Sequence, residues 1–556
     1  MSAEVHALCD RYALVDHPAL DPIAATEAGL PGFDSLLPDF SPEGFRELAL
    51  LRRRARRAVE RAVPSGPEER LARVVFLERL DVQLRLHEAG LDRCALVDGP
   101  VQRIIRVFGM MPTGTEHEWA AVAARMRAVP GALAGVRACL VEAGNSVPPR
   151  RVLGLARECE ALLTGPGSWF GRRVAEAECG PGLASALRAG AHAAASAFAG
   201  FADFLRKELL PRATGRDAVG LDVHRLWSRW FLGAELDPHE AYAWAWAEFR
   251  RLEQEAAELV DHLGLGANLR ATARALDADP RYRVPSRAAL LEWTRRTSSE
   301  VAQRLCGTQF DIPDELLVLD CALAPPGTPP GARYTPPTPA RPGCLWWSVP
   351  EEGSVSLWRK RTTVHHEGVP GHHLQAGALA VDSSRWNAFQ RHLCEISGHH
   401  EGWASYAERL MHELGFLDDD GYRLGMLGGQ CLRAARVVLD LGLHLRLAIP
   451  PDAGLDGQRW TPGLAAEFLR TRTGIAEQYV HDEVDRYLGW PGQAPSYKLG
   501  ERLWWEIRAE CARTAGAEFD PVEFHRRALG VGPAGLDVLR EAVSRSADAG
   551  EWSTHG

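Results

Sequence analysis

His365, His366, His372 and His373, together with Glu367, fall within nine residues of a 556-residue chain that holds 20 histidines in all. Imidazoles beside a carboxylate are what a zinc hydrolase needs: neutral histidines as metal ligands, a carboxylate for acid–base work, and one coordination position left open for water. The run reads Thr362-Thr363-Val364-His365-His366-Glu367-Gly368-Val369-Pro370-Gly371-His372-His373-Leu374-Gln375. The helical HExxH pattern sets its histidines four apart, and here Pro370 occupies that fourth place after His366. Proline there would clash with the His366 carbonyl, so the spacing predicts a bulge, kink or break at Pro370-Gly371. A bend can bring His372 to a metal held by His366. On an unbroken helix His373 is the better partner, and spacing leaves the two open.

A third ligand is expected on a neighbouring helix, and His399-His400-Glu401-Gly402-Trp403-Ala404-Ser405-Tyr406-Ala407-Glu408 offers several. Glu401 and Glu408 are seven apart and therefore share a helix face. One can bind metal while the other holds a ligand histidine. Farther on, Arg436, Asp440 and His444 follow at four-residue steps, a polar stripe on an apolar helix. It reads either as an internal Arg–Asp pair or as His444 or Arg436 facing a substrate. The stretch from Glu483 to Gly500 closes a helix and opens a proline-rich turn that would hold its polar groups in place.

These segments resemble the bacterial family designated domain of unknown function 885. The likeness rests on His366, Glu367, Pro370, Gly371, His372 and Gln375 of an HExxPGH pattern followed by Gln, and on Glu401, Gly402, Trp403, Ala404, Tyr406 and Glu408 of an EGWAxYxE pattern. It extends through Arg486, Tyr487, Pro491-Gly492-Gln493-Ala494, Ser496-Tyr497-Lys498 and Gly500. It is strong over roughly residues 333–500, where Arg341-Pro342-Gly343 is retained without an acidic or serine residue before it, and covers the first 300 residues only in helical character and length. The resemblance implies a zinc-metallopeptidase-like protein, mainly α, with a two-lobed zincin-like body of the neurolysin or carboxypeptidase kind and a small β-sheet near the active site. It implies His366, His372 and Glu401 as Zn²⁺ ligands, with His400 in reserve for Glu401. His373, His365 and Glu408 become groups around the ligands.

On that footing Glu367 deprotonates a water at the metal and then protonates the leaving amine, and Tyr497 with His444 stabilises the oxyanion. Arg486 or Lys498 would meet a substrate carboxylate, and Arg436, Tyr487 and Gln493 are further substrate-binding candidates. Small peptides are the expected substrates. Two other readings stand beside this one: a zinc-dependent amide or ester hydrolase or cyclising enzyme acting on a specialised metabolite, and a non-catalytic helical binding protein in which the histidines brace the Pro-Gly bend.

The elements that must position these groups read mainly as helices. Ser41-Pro42-Glu43 sets a capping hydroxyl, a first-turn proline and an acid before a helix running from Phe45 to Val63, and Asp237-Pro238-His239-Glu240 repeats that grammar with a capping box before a helix to about His262. Trp244, Trp246 and Phe249 on the latter read as core. From Ala324 to Pro350 prolines impose an extended loop ending in a short strand, Cys344 to Val349. Helical patterning returns from Leu357 to Arg446 and from Thr461 to Tyr487. One large helical domain is expected, with 1–320 as a mainly helical lobe and 321–556 as the catalytic part.

Composition agrees with a folded enzyme: 46% of residues are apolar and 25% charged. With Lys+Arg 64 against Asp+Glu 73 there is no basic surplus to neutralise phosphates, so nucleic acid is not an expected partner. No run of about 18 uncharged apolar residues and no signal-like N-terminus is present, and the 11 cysteines lack any CxxC pair. A soluble cytoplasmic protein with reduced thiols and no membrane partner is the expectation.

Overall fold

Ser41 and Asp237 cap helices where the sequence places their starts. The computed structural model describes residues 4–549 apart from 165–167, 326–327, 329, 339–340 and 455–457. The place where an acid or serine was sought, just before Arg341, lies outside the described residues. Helix accounts for 69% and strand for 5%, so the fold is mainly α. No helix among the described residues is long and apolar enough to cross a membrane.

The chain forms two compact units. The first comprises residues up to Leu226 with Asn387–Cys394 and Leu488–Trp490. Its helix α1 (Pro42–Arg61) begins where the Ser41 hydroxyl accepts from the Gly44 N–H at 3.2 Å, which satisfies one of the free donors of the first turn. Helices α2 (Glu116–Ala143) and α3 (Pro181–Phe204) pack along their lengths over a core that includes Met126, Leu140, Phe170 and Phe198.

The second unit comprises Trp227–Trp386, Glu395–Tyr487 and the chain from Pro491. Its first long helix is α4 (Pro238–Leu263), capped by Asp237, which accepts from the His239 N–H at 2.9 Å. Glu240 pairs with Arg502 at 3.0 Å rather than closing a capping box. Trp246 and Phe249 are buried as expected; Trp244 is half-buried beneath the Arg502 guanidinium, 4.8 Å from its centroid. Helix α5 (Leu269–Ala278) follows, with Asn268 as its cap.

A three-stranded sheet sits next in the chain: β1 (Asp320–Leu323), β2 (Gly331–Thr335) and β3 (Cys344–Ser348). Strand β3 is central, parallel to β1 and antiparallel to β2, with Cys344 opposite both Asp320 and Thr335. Strand β2 lies within the proline-rich stretch read as loop. Its five residues Gly331-Ala332-Arg333-Tyr334-Thr335 contain no proline, so their donors are free to pair with β3.

Past the sheet, the helical patterning expected from Leu357 to Arg446 resolves into several helices. Helices α6 (Lys360–Glu367), α7 (His372–Val381), α8 (Ser397–Glu413) and α9 (Asp420–Leu445) are separate, followed by α10 (Glu477–Gly489) and α11 (Ser496–Ala515). Val364 of α6 joins Leu345 and Trp347 of β3 in one apolar cluster, so the sheet backs the helix that carries His366 and Glu367. Helix α9 packs on α4, and α8 packs on α11 at unusually close range. Trp403 of α8 and Trp504 of α11, both fully buried, meet edge to face at 4.9 Å. A Cβ on Gly402 would lie 2.6 Å from the Gly500 carbonyl carbon, so glycine is what allows the approach.

Gly402→Ala therefore pushes backbone against backbone and lowers stability by about 1–3 kcal/mol. Denaturant unfolding of the full chain reads this directly; unchanged stability contradicts the close α8–α11 contact.

Candidate metal centre

Helix α6 stops at Glu367 because Pro370 offers no N–H and crowds the His366 carbonyl. The chain turns through Gly368–Gly371 and restarts as α7 at His372; the Val369–Pro370 peptide is cis. Gly371 donates to the His365 carbonyl at 3.0 Å, and a Cβ there would stand 1.9 Å from the His366 carbonyl oxygen, so only glycine fits. The carbonyls released by the break are taken up by the buried indole of Trp403, whose N–H donates to Pro370 at 2.9 Å and Gly371 at 3.2 Å.

The turn brings His372 to His366, not His373. The two rings lie 4.9 Å apart at 85°, and ligand atoms of His366, His372 and Glu401 all fall within 4.8 Å of one another. Glu401 Oε2 is 3.3 Å from His366 Nε2 and 3.7 Å from His372 Nε2. His373 points away: its Nδ1 meets the Tyr334 hydroxyl of β2 at 2.9 Å and its Nε2 donates to the Leu316 carbonyl at 3.1 Å. Burial lowers His373 to about 4 and His365 to about 3, which keeps both rings neutral. His400 stands beside the cluster, its Nε2 3.7 Å from Glu401 Oε1.

Glu408, two turns along α8 from Glu401, accepts from His366 Nδ1 at 2.7 Å and leaves Nε2 facing Glu401. Thr362 donates to its other oxygen at 2.8 Å, and Arg433 of α9 forks onto both oxygens at 2.7 and 3.1 Å. Burial opposes a charge there, but Arg433 and His366 hold the Glu408 carboxyl down at about 2. For His366, burial favours the neutral ring, yet contacts with Glu401 and Glu408 prevail and raise it to about 10. Neither Thr362 nor Arg433 stood out in the sequence. Arg433 lies one turn before Arg436, on the stripe already noted, which is the signal that could have found it.

The donor set suits a zinc ion. Two imidazole nitrogens and a carboxylate oxygen converge, His366 is fixed in orientation by an outer carboxylate, and Glu401 Oε2 is buried without a well-formed hydrogen bond. Glu367 is half-buried, and among the described residues its carboxylate makes neither hydrogen bond nor ion pair.

The C-terminal candidates divide. Tyr497 lies against Glu401, while Arg436 and Arg486 lie over its ring at 5.4 and 5.8 Å. Burial and then Glu401 raise the phenol against the lowering effect of the two arginines, so it stays protonated. Arg436 forks onto Glu483 at 2.8 and 3.1 Å, and Arg486 onto the Gln493 side-chain oxygen at 2.6 and 3.1 Å; both guanidiniums brace Tyr497 rather than stand free. Tyr487, expected at substrate, is fully buried with its hydroxyl on Glu483 at 2.6 Å. His444, expected at the oxyanion, is buried and donates to the Tyr487 carbonyl at 2.9 Å, where it satisfies an open acceptor of the last turn of α10. Lys498, expected at a substrate carboxylate, is 2% exposed and neutralised by Glu501 at 2.8 Å and Glu248 at 3.1 Å. An inward-facing lysine cannot lie bare, so its carboxylate partners come from the protein.

The chain matches the family described as bacterial protein of unknown function (DUF885) over residues 22–543, and it belongs to that family. Two solved structures share its fold. One, described as "the putative lipoprotein from Colwellia psychrerythraea", aligns with a TM-score of 0.82 and 22% identity over 98% of each chain. The other, described as "a putative lipoprotein of unknown function from Shewanella oneidensis", aligns with a TM-score of 0.75 and 16% identity over 96% of this chain and 99% of that one. No protein of curated function matches.

Because contacts with Glu401 and Glu408 raise the His366 ring to about 10, a zinc ion bound there would have to displace a proton. Calorimetry in buffers of different ionisation enthalpy should show about one proton released per zinc, with apparent affinity rising about tenfold per pH unit across the neutral range. A pH-independent affinity contradicts the placement of His366. Glu408→Gln should weaken zinc binding by about 10–100-fold in chelator competition, whereas His373→Ala leaves it nearly unchanged.

Proposed function

We propose that this member of the DUF885 family is a zinc-dependent, zincin-like hydrolase that cleaves amide bonds of small peptides. The observation that carries the reading is Glu401 Oε2, buried without a well-formed hydrogen bond and facing the Nε2 atoms of His366 and His372. A Zn²⁺ held by these three residues would supply Lewis acidity, making water more acidic and polarising the scissile carbonyl.

The remaining steps belong to side chains of this chain. Glu367, next to His366 on α6 and without a hydrogen bond or ion pair among the described residues, takes the proton from the attacking water and delivers it to the leaving amine nitrogen. Tyr497, kept protonated beside Glu401 and braced by Arg436 and Arg486, donates to the carbonyl oxygen as negative charge grows on it. The Arg433–Glu408 pair holds the His366 ring so that Nε2 is its ligand atom.

Glu367→Gln should retain zinc while lowering kcat on peptide substrates by about 10²–10⁴-fold. Tyr497→Phe should lower kcat by about 10²–10³-fold with little change in KM. Turnover by Glu367→Gln at the wild-type rate sinks this reading.

A further inference from the structure

A cavity of about 590 Å³ lies beside the metal centre, with His366 and Glu367 in its wall. Six arginines line it, Arg270, Arg274, Arg359, Arg433, Arg470 and Arg472, against the three carboxylates of Asp277, Glu367 and Glu408. Arg433 is matched by Glu408, Arg472 by Glu253, Arg470 by Glu467 and Glu477, and Arg359 stands 4.0 Å from Asp277. Arg270 and Arg274 of α5 also line the cavity, and among the described residues neither makes a hydrogen bond or an ion pair. They are four apart on one helix, so the two guanidiniums share a face and repel each other; α5 gains nothing from the pairing.

Another part of the wall is bare. Gly428 and Gly429 lie inside α9, where glycine weakens a helix, and a Cβ on Gly428 would meet nothing within 4 Å. Packing does not call for glycine at that position, and its absence of a side chain leaves that part of the cavity open.

We infer that this cavity receives the anionic part of the substrate, so that the peptides bound here are carboxylate-bearing, gripped by Arg270 and Arg274 as forked donors. The inference rests on the hydrolase reading for the meaning of substrate but on the cavity for its charge. The carboxylate is either an acidic side chain or the free C-terminus of the peptide.

Calorimetric titration of the metal-free full chain with (Ala-Glu)₃ and (Ala-Gln)₃ peptides, each as free acid and as C-terminal amide, tests this without turnover. The free-acid (Ala-Glu)₃ peptide should bind about tenfold or more tightly than the amidated (Ala-Gln)₃ peptide at low salt, with the gap narrowing as salt is added. Loss on changing Glu to Gln assigns the side-chain carboxylate, and loss on amidation assigns the terminal one. In the Arg270→Gln/Arg274→Gln double variant, which alters only exposed side chains, the gap should shrink to within about twofold. Gly428→Leu, which fills the open space, should abolish binding of every peptide in the set. Equal binding of all four peptides by the wild type, no binding of any, or a gap that survives in the double variant overturns the inference. Mass spectrometry of the same peptides after incubation with zinc-loaded protein separates the two ideas. Arginine-dependent binding without cleavage removes the hydrolase reading and leaves the cavity's charge preference standing; cleavage indifferent to charge does the reverse.

Discussion

Two imidazoles on consecutive helices can share one ion only if the chain between them reverses within a few residues, and the rest of the centre depends on that turn. Gly368–Gly371 makes it. Pro370 ends α6, Gly371 fits where a Cβ would strike the His366 carbonyl, and Trp403 absorbs the acceptors the break exposes. Trp403 also sits on α8 two residues past Glu401, so the group that secures the turn belongs to the same helix as that carboxylate. The bend and the carboxylate are thereby fixed relative to each other by one buried indole.

Around this turn lies a chain of buried charge. Arg433, Glu408 and His366 form a line in which both Glu408 oxygens are satisfied, by Thr362, Arg433 and His366 together. Ion pairs of this kind add little net stability, because desolvation offsets the attraction. Their value lies in orientation: a ring whose Nδ1 is held by a carboxylate presents Nε2 in a defined direction. On the other side of Glu401, Glu483 and Gln493 hold Arg436 and Arg486, which in turn flank Tyr497. The glycine contact between α8 and α11 sets Glu401 beside Tyr497, since a larger residue at Gly402 would part the two helices.

Much of this was legible in the residues themselves. The clash of Pro370 with His366 foretold the break, and the seven-residue spacing of Glu401 and Glu408 foretold two carboxylates on one face. The capping residues Ser41 and Asp237 marked helix starts correctly. What sequence could not supply was direction across the interior. Lys498, Tyr487 and His444 have the residue types of a substrate site, yet each points at a partner inside the protein: Glu501 and Glu248, Glu483, and the Tyr487 carbonyl. Periodicity tells which residues share a helix face but not what that face meets. For the same reason Arg433 went unnoticed, and strand β2 was hidden among prolines that flank it without entering it.

The central claim is that His366, His372 and Glu401 together hold one zinc ion. Elemental mass spectrometry on full-length protein purified without a histidine tag or chelator measures it directly, with Glu401→Ala and His372→Ala alongside the wild type. The account predicts about one zinc per chain in the wild type and near-complete loss in both variants. Wild-type protein that stays metal-free after zinc is supplied, or variants that keep their zinc, would contradict it.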